Sequence, residues 1–309
     1  MTLPAEFLPY AITALWAIAA ALFFAYAGSV AREMTYVTLA DGRREARSIP
    51  LIVKLLLPLA PNLTRFVSRP SFDDARSKAG AMIAMAGLDG LIGASEFMAL
   101  KILAPVVCGT AFSLAFISLS AASGGNALSA SNAILMSAAS YILFCLYPGM
   151  WLKGAVKRRH ESIMRALPFV LDLLTLSVEA GMDFMGALQR NCGKRRMDPL
   201  NEELLRMTRE IQLGTPRRTA LRNMASRTGQ SDLKSVVHAL VQADELGVSI
   251  GAILRIQSDQ LRSRRFDRAE KLANEAPVKM LAPLLLFIFP AVFVILLGPV
   301  IARSFDLFF

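Results

Sequence analysis

The chain has 309 residues, 54% of them hydrophobic, with 34 Lys and Arg against 24 Asp and Glu, a net charge of +10 and a mean hydropathy of +0.46. A basic excess alone would fit nucleic acid or an anionic membrane surface. The apolar content and the placement of the cations turn the reading to a membrane and away from nucleic acid, and three cysteines (Cys108, Cys145 and Cys192) give no disulfide framework and read as small apolar filler.

In chain order, Phe7 to Ala31 carries no charged residue and predicts a first transmembrane helix over 7–31. The first six residues hold Glu6 and no Lys or Arg, whereas a signal peptide wants a basic start. A first cytoplasmic segment follows over 32–101. It opens with a charged linker at Asp41-Gly42-Arg43-Arg44. The Pro-broken stretch from Ile49 to Ala60 is too short to span and is expected to lie in the interface as an amphipathic helix. Residues 72–86 predict a helix with Ala75, Ala79, Met82, Ile83 and Ala86 on one face, stopped by Gly87. Ser95-Glu96 starts the helix that enters the second span.

Ile102 to Leu152 is again free of charge. As one helix it would be about 75 Å long at 1.5 Å per residue, against a hydrocarbon core of roughly 30 Å. The polar, Gly-containing run from Ser120 to Asn132 divides it into spans at 102–121 and 132–152. The main soluble domain covers 153–279, and a fourth span covers 280–302. The prolines Pro105, Pro148, Pro283, Pro290 and Pro299 in or beside the spans read as ordinary span prolines rather than hinges.

Cations flanking spans stay in the cytoplasm. Arg32, Arg43 and Arg44 follow the first span, Lys153, Lys157, Arg158 and Arg159 follow the third, and Arg262 through Lys279 supply six before the fourth; Arg303 alone lies beyond it. Four spans with both termini periplasmic and both basic segments cytoplasmic satisfy this distribution.

Within 153–279, Gly181, Gly193, Gly214, Gly229 and Gly247 each close an amphipathic stretch. Asp198-Pro199 and Thr215-Pro216 pair a cap with proline at a helix start, and Asp183, Ser231 and Ser249 are candidate caps. The implied helices run roughly 155–180, 183–192, 199–213, 216–228, 232–246 and 250–275, with Pro168 kinking or starting the first. Short connections predict a six-helix antiparallel bundle. An internal repeat relates Glu179-Ala-Gly181-Met-Asp183-Phe184 to Glu245-Leu-Gly247-Val-Ser249-Ile250.

Catalytic machinery is not legible. His160 and His238 lack companion ligands, and no phosphate-binding glycine loop or nucleophile elbow occurs. No catalytic, cofactor-binding or metal residue is assigned, and no cofactor is expected. The spans hold no ionisable group, which argues against a pump or secondary transporter, although a transporter or channel subunit without intramembrane charges remains the alternative. The candidate structural or partner contacts are Glu179, Gly181, Glu245, Gly247, Lys194, Arg195, Arg196, Arg217 and Arg218. Glu179 and Glu245 each sit in the last turn of a helix, where the macrodipole disfavours an acid, so each is either paired with a cation or solvated. The basic residues face anionic lipids, an acidic partner or water.

The run Leu167-Pro-Phe-Val-Leu-Asp-Leu-Leu-Thr-Leu-Ser-Val-Glu-Ala-Gly-Met182 resembles the signature of the type II secretion system F-domain family. Arg268 to Pro277, continuing through Val278-Lys-Met-Leu-Ala-Pro-Leu-Leu-Leu-Phe-Ile-Phe-Pro290, resembles the tight-adherence C branch, TadC-like, of that family. Asp183-Phe184 departs from the commoner small or leucine-like pair. The resemblance implies a non-enzymatic inner-membrane platform protein of a type IV pilus-like tight-adherence system. The partners it implies are a cytoplasmic secretion ATPase, a sister F-domain platform protein and prepilin subunits, in a homo- or hetero-oligomer.

Overall fold

The computed structural model describes residues 36–38, 44–46, 50–114 and 130–308. The expected first span at 7–31, most of the Asp41–Arg44 linker and most of the 120–132 turn lie outside the described residues. The architecture is helical apart from one short antiparallel ladder, β1 (Tyr36–Thr38) with β2 (Arg44–Ala46), which pairs Tyr36 with Ala46 and Thr38 with Arg44.

The first segment contains α1 (Leu51–Leu56), a 3-10 turn, α2 (Ala60–Val67), α3 (Asp73–Ala86) and α4 (Ala94–Ala104). Val53, Leu56, Leu57 and Ala60 are buried in one core with Ala79, Ile83 and Ala86 of α3 and with Phe97 and Leu100 of α4. Ala75, expected on the apolar face of α3, is exposed. Gly87 ends α3 at φ 68°, where only glycine rests without strain.

From α4 the helix runs on to Leu114 through a widened π turn at Pro105–Gly109. Proline has no N–H and crowds the carbonyl four residues back, and the wider register is one way to relieve that. Thr110 Oγ1 donates to the carbonyls of Val106 and Val107, and Ser113 Oγ donates to that of Gly109 at 2.8 Å. A second π turn, Leu284–Ile288, follows Pro283 in the same way.

Six further helices follow: α5 (Ala130–Glu179), α6 (Phe184–Lys194), α7 (Pro199–Gln212), α8 (Arg217–Thr228), α9 (Ser231–Leu246) and α10 (Ile250–Pro283). Beyond the second π turn the chain continues as α11 (Phe289–Phe308). One core joins these six helices, built on Ile163, Leu167, Leu171 and Leu174 of α5, Leu188 of α6, Leu200 and Met207 of α7, Leu221 and Met224 of α8, Val237 of α9 and Leu254 of α10.

The sequence places breaks at the edges of the soluble domain that the fold does not have. α5 starts at Ala130 and passes Pro148 and Pro168 without ending, and α10 runs on to Pro283. Gly193 lies inside α6, which closes at Arg195. Asp183 and Asp198 do cap, accepting from Gly186 N at 2.9 Å and Asn201 N at 2.7 Å. Thr215 and Ser231 do not; Gln230 caps α9, its Oε1 accepting from Leu233 N.

Three helices of the described residues are long and apolar enough to cross a membrane: Ala94–Leu114, Leu135–Glu179 and Ile250–Pro299. The first two pack together where Gly109 meets Tyr141, so closely that a Cβ on Gly109 would lie 2.8 Å from the ring.

Candidate functional site

The helices alternate in direction, so the three turns after α5, α7 and α9 gather at one end of the bundle. Gly181, Gly214 and Gly247 take φ of 91°, 98° and 68° there. Each turn closes by backbone bonds from the residues after the helix: Met182 N to Ser177 O at 3.1 Å, Thr215 N to Glu210 O at 2.9 Å and Val248 N to Ala243 O at 3.0 Å. The turns touch one another. A Cβ on Gly251 would sit 3.4 Å from Val178 Cγ1, and the Arg217 guanidinium lies over the Phe184 ring at 4.2 Å.

Charges lock this cap. Glu179 meets Arg255 at 3.4 Å and Glu245 meets Arg222 at 3.0 Å, so each acid at a helix C-terminus has a cation from a neighbouring helix. Arg218 Nε donates to Asp244 Oδ2 at 2.6 Å, and Arg217 stands 3.8 Å from Asp244 Oδ1. The Arg218 hydrogen bond, with the nearby Arg217 and Arg218 charges, holds the Asp244 carboxyl below the usual carboxylate range against the opposing effect of burial. Burial draws the Arg217 guanidinium down, opposed by Asp244 and Asp183. Between the ion pairs, Leu213 (87% exposed) and Leu246 (77% exposed) project into solvent.

Six of the candidate residues therefore share this cap: Glu179, Gly181, Glu245, Gly247, Arg217 and Arg218. Lys194, Arg195 and Arg196 lie at the opposite end of α6. Arg195 is committed within the fold, bonded to Asp198 through Nε (3.1 Å) and Nη2 (2.5 Å) and stacked over Phe169 at 5.7 Å. Lys194 and Arg196 are exposed and form no ion pair among the described residues. Nearby Cys192 is buried, and burial pushes its thiol up to about 11, so it stays neutral.

A second constellation was not legible in the sequence. Arg159 is buried on α5 and donates to Glu203 Oε1 at 2.9 Å, to Glu202 Oε2 at 3.3 Å and to the Ala84 carbonyl at the end of α3 at 3.2 Å. Arg227 donates to the other Glu203 oxygen at 3.1 Å and to Glu210 at 2.6 Å. His160 Nε2 meets the Thr228 carbonyl at 2.7 Å. Asp232, also buried, receives Arg264 and Arg268 at 3.0 Å each. No sequence pattern marks these pairs, because every partner lies on a different helix. Among the described residues no group of three His, Cys, Asp or Glu side chains is placed to hold a metal ion.

The apolar stretches end at a common level. α5 and α10 run antiparallel, in contact where Arg268 Nη1 reaches Met164 Sδ at 2.7 Å. Lys153 and Lys279, the last charges before the uncharged stretches, stand the same number of residues from that contact. Lys101, counted from the Gly109–Tyr141 contact, falls level with Gly149, about one helical turn away. One plane thus separates three uncharged helical stretches from the bundle.

Residues 170–298 match the family model described as type II secretion system (T2SS), protein F. The match begins inside α5, covers the cap and runs into α11, and it supports the T2SS F-domain family, whose members are membrane platform proteins. No curated protein and no solved structure matches the chain.

Proposed function

We propose that this chain is a non-enzymatic inner-membrane platform protein of a type IV pilus-like, tight-adherence-type secretion machine. It spans the membrane four times with both termini periplasmic, and its six-helix cytoplasmic bundle couples a secretion ATPase to prepilin extraction and fibre assembly. The observation that carries this reading is the continuity of α5 and α10. α5 runs unbroken from the cap through the charge boundary into an apolar stretch, and α10 crosses the same boundary to Pro283, where the π turn carries the helix on, so a push on the bundle is carried helically to the spans. The T2SS protein F match over 170–298 supports the platform class, and the Arg268–Pro290 resemblance supports the tight-adherence C branch.

In this reading the cap is where the ATPase engages, because it is the part of the bundle farthest from the plane of Lys153 and Lys279. Lys153, Lys157 and Arg158 lie within one or two turns of that plane and meet anionic headgroups. The sister F-domain protein and the prepilins contact the spans, where packing and small residues govern helix association.

The test uses the full chain in nanodiscs with a secretion ATPase from the same organism. A co-sedimenting complex and a changed rate of ATP hydrolysis are expected, both weakened by Leu213→Asp with Leu246→Asp. No complex and an unchanged rate at high concentration would sink the proposal.

A further inference from the structure

The outward face of α5 stays apolar where no other helix covers it. Phe169 (58% exposed) and Leu176 (64% exposed) stand one heptad apart, with half-buried Leu173 between them and exposed Arg165 one turn before. These positions share one face of a helix.

Two helices wall this strip. On one side is α6, where Asn191 Nδ2 reaches Ser177 Oγ at 3.5 Å and Arg195 stacks on Phe169. On the other is α10, tied by Arg262 to Asp172 at 2.6 Å and by Arg255 to Glu179 at 3.4 Å. The result is a groove with an apolar floor. Its walls differ in charge. Asp172, Glu179 and Asp198 are taken by Arg262, Arg255 and Arg195. On the α10 side Asp259 stands among the arginines. On the α6 side Lys194 and Arg196 have no counter-ion among the described residues.

We propose that this groove docks an amphipathic helix from a soluble partner, apolar along one face and acidic along the flank that meets Lys194 and Arg196. Lipid is not the occupant. At 1.5 Å per residue, Phe169 and Leu176 lie about 25 and 36 Å along α5 from Leu152, beyond headgroup reach. A second copy is disfavoured, since its own Asp172, Glu179 and Asp198 on this face are already held by arginines of the same chain and leave little negative charge to meet Lys194 and Arg196. A helix laid in a groove and read by apolar anchors one and two turns apart fits the floor spacing.

The test uses the full chain in nanodiscs and two stapled fluorescent peptides about five turns long. Both carry leucines along one face; one has glutamates on the flank and the other lysines in the same places. Fluorescence anisotropy should show the acidic peptide binding at least about tenfold more tightly than the basic one. Leu176→Ser should weaken it about tenfold, and Lys194→Glu with Arg196→Glu should reverse the preference, with the thermal midpoint unchanged in both variants. Equal binding of the two peptides, no binding of either, or a photo-crosslink from a reactive phenylalanine analogue at position 169 that joins two copies would each overturn the proposal. The cap variants used for the ATPase leave this groove intact, so the two readings fail separately.

Discussion

Arg159 Nη2 donates to Glu203 Oε1 at 2.9 Å, with the two side chains only 5% and 4% exposed. The same guanidinium reaches the Ala84 carbonyl. One side chain therefore fastens the first segment, the membrane-entering helix α5 and the bundle helix α7. Removing one partner of a buried pair leaves the other charge without compensation. Arg159→Met is expected to destabilise the protein by about 3 kcal/mol, the low end for such a loss because Glu203 keeps Arg227. Thermal unfolding of the full chain in detergent measures the loss, and limited proteolysis should open the α3–α4 connection first. A midpoint equal to wild type would contradict the assignment.

Asp232 gives the fold a pH dependence. Burial alone would raise its carboxyl, but hydrogen bonds from Arg268 and Arg264 outweigh it and hold the group below the usual range. The folded value is thus lower than the unfolded one near 3.9. The carboxylate's contribution is full above about pH 4 and is lost as the pH falls through the depressed folded value. Asp232→Asn should cost about 2 kcal/mol at neutral pH, and the gap to wild type should close on acidification below about pH 4. A gap that is constant from pH 7 to pH 3 would show that the ion pairs are not its source.

Two glycines with similar backbones separate strain from crowding. Gly229 has φ 62° and Gly247 has φ 68°, but a Cβ on Gly229 meets Met85 Cε at 2.7 Å whereas one on Gly247 meets nothing within 4 Å. Gly247→Ala should lose about 1 kcal/mol from the left-handed backbone. Gly229→Ala should lose that and a further amount, about 1 kcal/mol, as Met85 is displaced. Urea midpoints compare them; equal losses would mean that Met85 swings aside freely.

The common charge boundary predicts a shared side of the membrane for Lys153 and Lys279. Single cysteines at these positions, in a chain whose own three cysteines are replaced by alanine, should both be shielded from an impermeant maleimide in intact spheroplasts and both react after permeabilisation. Labelling of one alone in intact cells would break the plane described above.

Local chemistry made much of this legible. Gly87, Gly181, Gly214, Gly229 and Gly247 end helices at positive φ as their sequence contexts indicate, and Asp183 and Asp198 cap as short acids before a helix do. The four inner helices of the bundle follow from those signals to within a residue or two. Three apolar stretches were equally readable, since length and absence of charge suffice. The unbroken length of α5 was not. Pro148 and Pro168 argue for interruption, yet a long helix packed on its neighbours tolerates a missing N–H. Gln230 displaced Ser231 as cap because its longer amide reaches forward to Leu233 N from one position earlier. Arg159 and Asp232 escaped notice because a sequence shows that a charge exists, not which distant helix answers it.

The length of α5 also sets a mechanical ratio. With its 50 residues, it is a rod of about 75 Å, and a bundle tilting as one body about the Arg159 tie would carry it as a lever. The arm toward the cap is about 30 Å and the arm from Arg159 to the start of the helix at Ala130 about 45 Å. A tilt of about 5° sweeps the far tip through roughly 4 Å, half as much again as the travel at the cap. In the proposed coupling, a small stroke at the cap would be enlarged along the apolar arm.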